Sequence, residues 1–235
     1  MRQIILDTET TGLKVEEGHR LIEIGCIELF NRKFTGNTYH VYLNPQRDID
    51  AGAMAVHGIT NEFLKDKPFF EHTADEFLDF ISNSELIIHN APFDVGFINH
   101  EFRLLARGLK PLHEHCQITD TLQIARKLHV GQRNNLDALC KRYKIDNSKR
   151  EFHGALLDAH LLAQVYLAMT GGQGSFFEES PTEQSMTPVH SIEASTTTDF
   201  KKHNLIVIKA DESECLAHEK YLDLLKKQGK CLWNE

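Results

Sequence analysis

Near its start the chain carries a pair of carboxylates, Asp7-Thr8-Glu9, directly after the short apolar run 3–6. Side chains two apart on a strand share a face, so both acids converge on one spot. Alone, such a pair is a polar strand end as readily as a site. Two more acids and a histidine change the reading. Asp94 follows the apolar run 86–88 at the start of a helical pattern, where an aspartate serves either as a helix cap or as a ligand. Asp158 shares a helix face with Leu161, Leu162 and Val165, at i+3, i+4 and i+7. A carboxylate inside an apolar stripe is costly unless it is paired or bound to metal. His153 lies five residues before Asp158, at the mouth of the same helical pattern, and is one of 14 histidines.

Four acids from separated segments, Asp7, Glu9, Asp94 and Asp158, can hold two hard divalent cations through oxygen, Mg2+ or Mn2+. Two such ions roughly 4 Å apart activate a water and stabilise the leaving oxygen in phosphodiester cleavage. Histidine titrates near neutrality, which suits His153 to take the proton from that water. No one of these features is specific; the combination describes a hydrolase acting on a phosphodiester.

The elements that must position them alternate. Residues 3–6, 21–30 and 38–43 have strand character, with turns expected at Thr11-Gly12 and Thr35-Gly36-Asn37. Helical spacing marks 70–81 and 93–107, with a buried strand at 86–88 between them. Asp120 is expected to cap a helix, a short helix is expected over 135–143, and a longer one over 154–169. This order predicts an α/β fold, a mixed β-sheet flanked by helices.

After Met169 the composition changes. No Lys or Arg occurs between Arg150 and Lys201, and residues 171–199 are rich in Ser, Thr, Glu and Gly with two prolines. Three parts are therefore expected: a domain over 1–170, a flexible linker over 171–199 and a small tail over 200–235. The tail carries a strand candidate at 205–208, a helix candidate at 212–228 and the apolar ending Cys231-Leu232-Trp233. Some 35 residues are too few to fold robustly alone, so the tail is expected to dock on a partner.

With 235 residues, 41% of them hydrophobic and 26% charged, the chain has the composition of an ordinary globular protein. A net charge of −8 argues against passive coating of nucleic acid, which needs a strongly basic face. No apolar run approaches the roughly 20 residues of a membrane helix, and the carboxylate at Asp7 interrupts any signal-peptide core. The five cysteines form no C-x-x-C pair and are odd in number, as expected for reduced thiols. Together these point to the cytoplasm and to no membrane partner.

The motifs Asp7-x-Glu9-Thr10-Thr11-Gly12, His89-Asn90-Ala91-Pro92-Phe93-Asp94 and His153-Gly154-Ala155-Leu156-Leu157-Asp158 resemble the three exonuclease motifs of the DEDD superfamily, in its histidine branch. Over nearly the whole length the chain is similar to the epsilon family, the proofreading exonuclease subunits of bacterial DNA polymerase III. That similarity includes Val56-His57-Gly58-Ile59, the stretch from Arg133 to Cys140 and the ending Cys231-Leu232-Trp233. The resemblance implies a ribonuclease H-like fold and 3′→5′ removal of nucleotides from single-stranded or frayed DNA. It implies that Asp7, Glu9 and Asp158 hold the ion carrying the attacking water, that Asp7 and Asp94 hold the second, and that His153 is the general base. It further implies that Thr10, Thr11 and Gly12 contact the 3′-terminal nucleotide, that Val56 and His57 line its base, and that His89 and Phe93 stand beside the site. The tail, with Leu232 and Trp233, would bind the polymerase (alpha) subunit, and some members carry a small accessory subunit. One departure is Pro92, where the family has a small residue; a proline is well placed just ahead of a helix.

Other features leave two readings open. The basic residues Arg126, Lys127, Arg133, Lys141, Arg142, Lys144, Lys149 and Arg150 suit either DNA backbone contacts or a solvated face. His113-Glu114-His115-Cys116 lacks the spacing of a paired zinc site and reads as a surface loop. Gln173-Gly174-Ser175-Phe176-Phe177 resembles the glutamine-led peptide that docks on the sliding clamp, through Gln173, Phe176 and Phe177, although so short a motif also arises by chance. Two alternatives to a proofreading enzyme remain: an RNA 3′-end trimming relative, which would lack the linker and Trp-containing tail, and a scaffold with a silent site.

Overall fold

In a computed structural model the chain divides into two units, Met1–Ser180 and Pro181–Glu235. The structure describes residues 1–148, 150, 152–171 and 211–228. The first unit holds one five-stranded sheet in the order β3-β2-β1-β4-β5. Its strands are β1 (Arg2–Thr10), β2 (Leu21–Phe30), β3 (Lys33–Tyr42), β4 (Glu85–Ile88) and β5 (Gln117–Asp120). β1 runs antiparallel to β2 and parallel to β4, and β4 runs parallel to β5. The sheet is thus mixed, as the alternation of elements predicts.

Helices cover both faces. α3 (Phe70–Ile81) and α4 (Ala91–Leu104) lie on one side, where Phe77, Ile81, Phe97 and Ile98 pack with Ile4 and Leu6 of β1. α5 (Thr121–Leu128), α6 (Leu136–Tyr143) and α7 (Ala155–Thr170) lie on the other, where Leu139, Leu162 and Val165 pack with Ile5. Residues 4, 5 and 6 alternate between the two cores, as a strand's period of two requires. Burying each large aliphatic side chain contributes about 1.5–3 kcal/mol. α7 is buried nearly all round, since Ala155, Ala159 and Ala163 let it lie close while Leu161, Leu162 and Val165 fill the space around it.

Three elements escaped the sequence pattern. α1 (Ala51–His57) buries only His57 of its seven residues, so no apolar stripe announces it. β5 has four residues, half-buried or exposed, and is fixed by pairing with β4 rather than by its own character. A third element, the single-turn α2 (Asn61–Leu64), is started by Thr60, whose side chain accepts from Phe63 N. The turn expected at Thr35-Gly36-Asn37 is displaced. The chain instead reverses at Asn31-Arg32, both at positive φ (49° and 63°), the conformation of a tight hairpin. Thr35 and Asn37 lie inside β3, donating side-chain hydrogen bonds to the Glu28 carboxylate beside a register shift in β2.

Asp120 caps α5 as expected, accepting from Leu122 N at 2.9 Å. The described part of the second unit is α8 (Glu212–Gln228), matching the helix predicted there. It is started by Asp211, which accepts from Glu214 N while Glu214 Oε2 accepts from Asp211 N, a reciprocal cap. The strand expected at 205–208 and the residues Gln173, Phe176, Phe177, Leu232 and Trp233 lie outside the described residues. Among the described residues no helix is long and apolar enough to cross a membrane. Cys26, Cys116 and Cys140 are buried free thiols and Cys215 an exposed one.

Gly25 of β2, opposite Asp7 in the register, sets how closely α7 approaches the sheet. A Cβ there would lie 2.3 Å from Leu156 N and 2.4 Å from the Ala155 carbonyl carbon, both rigid helix backbone. Gly25→Ala is therefore expected to force the start of α7 outward and cost about 3 kcal/mol. Urea denaturation of the variant checks this, and an unchanged midpoint would mean α7 is not held at this point.

Candidate active site

The parallel pairing of β1 with β4 ends at Leu6 and Ile88. Beyond it β1 continues along β2 alone, while the chain after β4 leaves through His89 and Asn90 into α4. Asn90 adopts a left-handed φ of 66° at this exit, and Pro92 sits in the first turn, where its missing N–H is no loss. A crevice at the carboxyl ends of parallel strands follows, the usual place for a ligand in an open α/β sheet.

Strand alternation sends Asp7 and Glu9 to the face carrying α7 and sends Thr8 to the face carrying α4. Thr8 Oγ1 donates to Asp94 Oδ1 at 2.7 Å. Asp94 is 3% exposed; Asn90 is the capping residue of α4, while the Asp94 carboxyl accepts from Thr8 and from its own N–H in the first turn. From the first turn of α7, Asp158, 2% exposed, points into the same crevice region. One ligand atom each from Glu9, His153 and Asp158 lies within 4.8 Å of the others, a spacing suited to a single ion; Asp7 and Asp94 stand outside that trio. His153 is held at its backbone, donating N–H to the Val56 carbonyl at 3.1 Å. The neighbouring Phe152 ring packs over Gly58.

The acids lie close together and largely out of water. Burial, then Asp94, Glu9 and Asp158, drives the Asp7 carboxyl well above the usual carboxylate range, with Arg150 opposing. Burial, followed by Asp158 and Glu23, pushes Glu9 up to about 8. Asp94 is also raised by burial, against the hydrogen bond from Thr8. Carboxylates crowded out of water in this way favour protons unless cations replace them.

Beside the acids is a cavity of about 490 Å³ lined by Thr8, Glu9, Thr10, Gly12, Leu13, Val56, His57 and Phe93, among others. It gathers five of the seven nucleotide-lining candidates. The other two, Thr11 and His89, stand outside it. Thr11 is fully buried, its hydroxyl 3.0 Å from His19 Nδ1 and accepting from Arg20 N. His89 lies 2.9 Å from Thr121 Oγ1 and faces a separate opening with Arg126, Gln132 and Asn134.

Residue types alone did not single out several contributors. Thr8 orients Asp94. His19, 3% exposed, lies where a Cβ on Gly12 would fall 2.2 Å from its ring, so glycine lets the loop sit on the imidazole. Glu23, across the strands from Glu9, is buried and bonded to His40, and its Oε2 has no partner among the described residues. The same holds for His57 Nε2, whose Nδ1 accepts from Ile59 N. Arg142 is engaged with Asn134 and the Arg133 carbonyl, Arg150 lies within the site itself, and Lys149 lies outside the described residues. In the 113–116 loop, His115 bonds the Lys110 carbonyl and Cys116 the Leu112 carbonyl. A usable signal existed only for Gly12 and Glu23: a glycine beside a carboxylate pair, and an acid inside an apolar strand.

Because Glu9 holds its proton more tightly when folded than its ordinary 4.5, the folded chain binds more protons than the unfolded one between pH about 4.5 and about 8. Stability of the metal-free protein is then present below that window and lost as pH rises through it. Thermal melts in chelator are expected to fall across that range, and to fall less with Glu9→Gln; a melting temperature rising with pH would contradict this.

Residues 4–166 match the exonuclease family model RNase_T. DNA polymerase III subunit epsilon of Escherichia coli (strain K12) is 53% identical over 240 residues, covering 99% of this chain and 97% of its own. The protein of the same name from Haemophilus influenzae is 50% identical, covering 100% and 95%. Among solved structures, exonuclease X in complex with 5′ overhanging duplex DNA aligns with a TM-score of 0.58 at 25% identity, over 73% of this chain and 93% of its own. The nuclease domain of 3′hExo, a DEDDh family member bound to rAMP, has the same fold, with a TM-score of 0.61 at 18% identity over 72% and 90%. With its acids gathered at the end of β1 and its likeness running from end to end, the chain belongs to the exonuclease family and, within it, to the DNA polymerase III epsilon subunits.

Proposed function

We propose that this exonuclease shortens DNA from its 3′ end, one nucleotide at a time, as the proofreading subunit of the replicative polymerase. The observation that carries this is the gathering of Glu9, His153 and Asp158 within 4.8 Å beside a cavity of nucleotide size. Exonucleases of this family use divalent metal ions, and a donor set of carboxylates and one imidazole fits Mg2+ or Mn2+. When bound, such ions would polarise the scissile phosphate and lower the pKa of the attacking water. Asp7, Glu9 and Asp158 would hold one and Asp7 with Asp94 the other, offsetting the burial that raises the Asp7, Glu9 and Asp94 carboxyls.

The chain's own groups do the rest. His153, whose side chain is 44% exposed, would take a proton from water and pass it to solvent. Thr10, Gly12, Val56, His57 and Phe93 line the cavity in which a terminal base and sugar would lie. Thr11 would act from beneath, keeping that loop in place through His19. His89 would steer the incoming strand along the neighbouring opening. Because only a short unpaired end enters so narrow a site, a mismatched terminus, which frays more cheaply, reaches it more often.

The relatives' name, a subunit of DNA polymerase III, supports a polymerase partner for this chain. We assign that contact to the tail over 200–235, with Leu232 and Trp233, beyond a nuclease domain over 1–170 and a linker over 171–199. Gln173, Phe176 and Phe177 would offer the linker to the sliding clamp; a small accessory subunit is a further candidate partner.

End-labelled single-stranded DNA and the matching RNA, incubated with Mg2+, test the proposal. DNA should shorten 3′→5′, Asp7→Ala should abolish this, and His153→Ala should slow it about 10²- to 10⁴-fold. Preferential loss of RNA would indicate a trimming enzyme instead, and hydrolysis of neither by the folded protein would leave a scaffold. Deleting 200–235 should abolish co-purification with the polymerase subunit yet spare hydrolysis; if binding survives, the tail is not the contact.

A further inference from the structure

Arg150 is the one basic side chain that reaches the acids of this site among the described residues. Its Nε and Nη2 donate to Asp158 Oδ1 and Oδ2, each at 2.6 Å, a two-pronged pairing that occupies both carboxylate oxygens. Nη2 also lies 2.9 Å from His153 Nδ1. A guanidinium has no acceptor, so it is the donor here and Nδ1 must accept. That places the proton of a neutral His153 on Nε2, leaving neither ring nitrogen free to take one from water. Nη1 reaches outward to Asp137 Oδ1 on α6, a half-exposed carboxylate. The arginine side chain is itself 7% exposed.

We propose that Arg150 is a positioning residue that competes with the divalent cation, holding Asp158 and His153 until metal displaces it. This rests on the metal role proposed above for Asp158. A cation bonded to Asp158 at ordinary ligand distance would stand within a few ångströms of a guanidinium already on the same oxygens, and two positive charges in so dry a place repel strongly. One must leave. Asp137 offers the displaced guanidinium a carboxylate it already touches, so the side chain can let go of the site without losing every partner. The same movement frees His153 Nδ1. Metal arrival and readiness of the base thus become one event, and the metal-free acids keep a partial counter-charge meanwhile.

The test uses the full-length chain without DNA and Mn2+ alone as probe, with binding followed by electron paramagnetic resonance in wild type, Arg150→Gln and Arg150→Lys. Arg150→Gln should bind Mn2+ about tenfold more tightly, since one like charge beside the ion is gone. Arg150→Lys, which keeps the charge without the fork and guards against a failure of the first variant to fold, should fall between it and wild type. In nitrogen-15 imidazole spectra of the metal-free protein, His153 should be held with its proton on Nε2 in wild type and be released in Arg150→Gln. Equal or weaker Mn2+ binding by both folded variants would overturn the proposal, because Arg150 would then be supporting the metal site. Absence of Mn2+ binding in all three proteins would remove the metal role of Asp158, and this inference with it.

Discussion

Like charges do not gather in a protein interior unless something compels them, and each loses hydration when they do. The four carboxylates gathered at the candidate site come from three chain segments, β1, α4 and α7, and the fold is organised around overcoming that resistance. β1 is anchored by pairing on both sides, with β2 along its length and with β4 up to Leu6. α4 is fastened by a partly buried ion pair, in which Arg20 Nε and Nη2 donate to the two oxygens of the buried Glu101, each at 2.7 Å. α7 is pressed between the sheet and α6 by nearly all of its circumference. These three attachments supply the rigidity that lets repelling groups share one crevice, and they sit at its walls and not within it.

The division between what the sequence reveals and what it conceals follows from this arrangement. The acids were visible as a set: a pair ending an apolar run, one following a buried strand and one interrupting a helical stripe, the last being the hardest to explain by structure alone. The large elements were visible because they bury one face or all of their surface, which writes a period into the chain. α1 and β5 were hidden because their positions are imposed by neighbours and not by their own patterning. The hairpin at Asn31-Arg32 was hidden because Gly36, the more obvious turn residue, is used inside β3 at φ 89°.

Within the site the same contrast holds. Residue types revealed the candidate ligands and the candidate base but not the groups that they meet. Thr8, His19 and Glu23 are ordinary residues for a strand or a loop, and their contribution lies in which side chain they happen to meet. Arg150 was read as one of a basic run, suited to solvent or to a phosphate backbone; in the folded chain it turns inward to Asp158. Such contacts join residues far apart along the chain, or fix a geometry that no local period encodes.

The backbone bond from His153 N–H to the Val56 carbonyl ties the loop carrying that imidazole to the wall of the cavity beside the acids. Phe152, laid over Gly58 at the end of α1, reinforces the tie. In the proposed role, binding and chemistry would share a mechanical linkage only one hydrogen bond long. A terminal residue fitting badly against Val56 would then move the imidazole along with the wall, so that a poor fit would slow turnover as well as weaken grip. Discrimination would in that case reside partly in the stiffness of a joint.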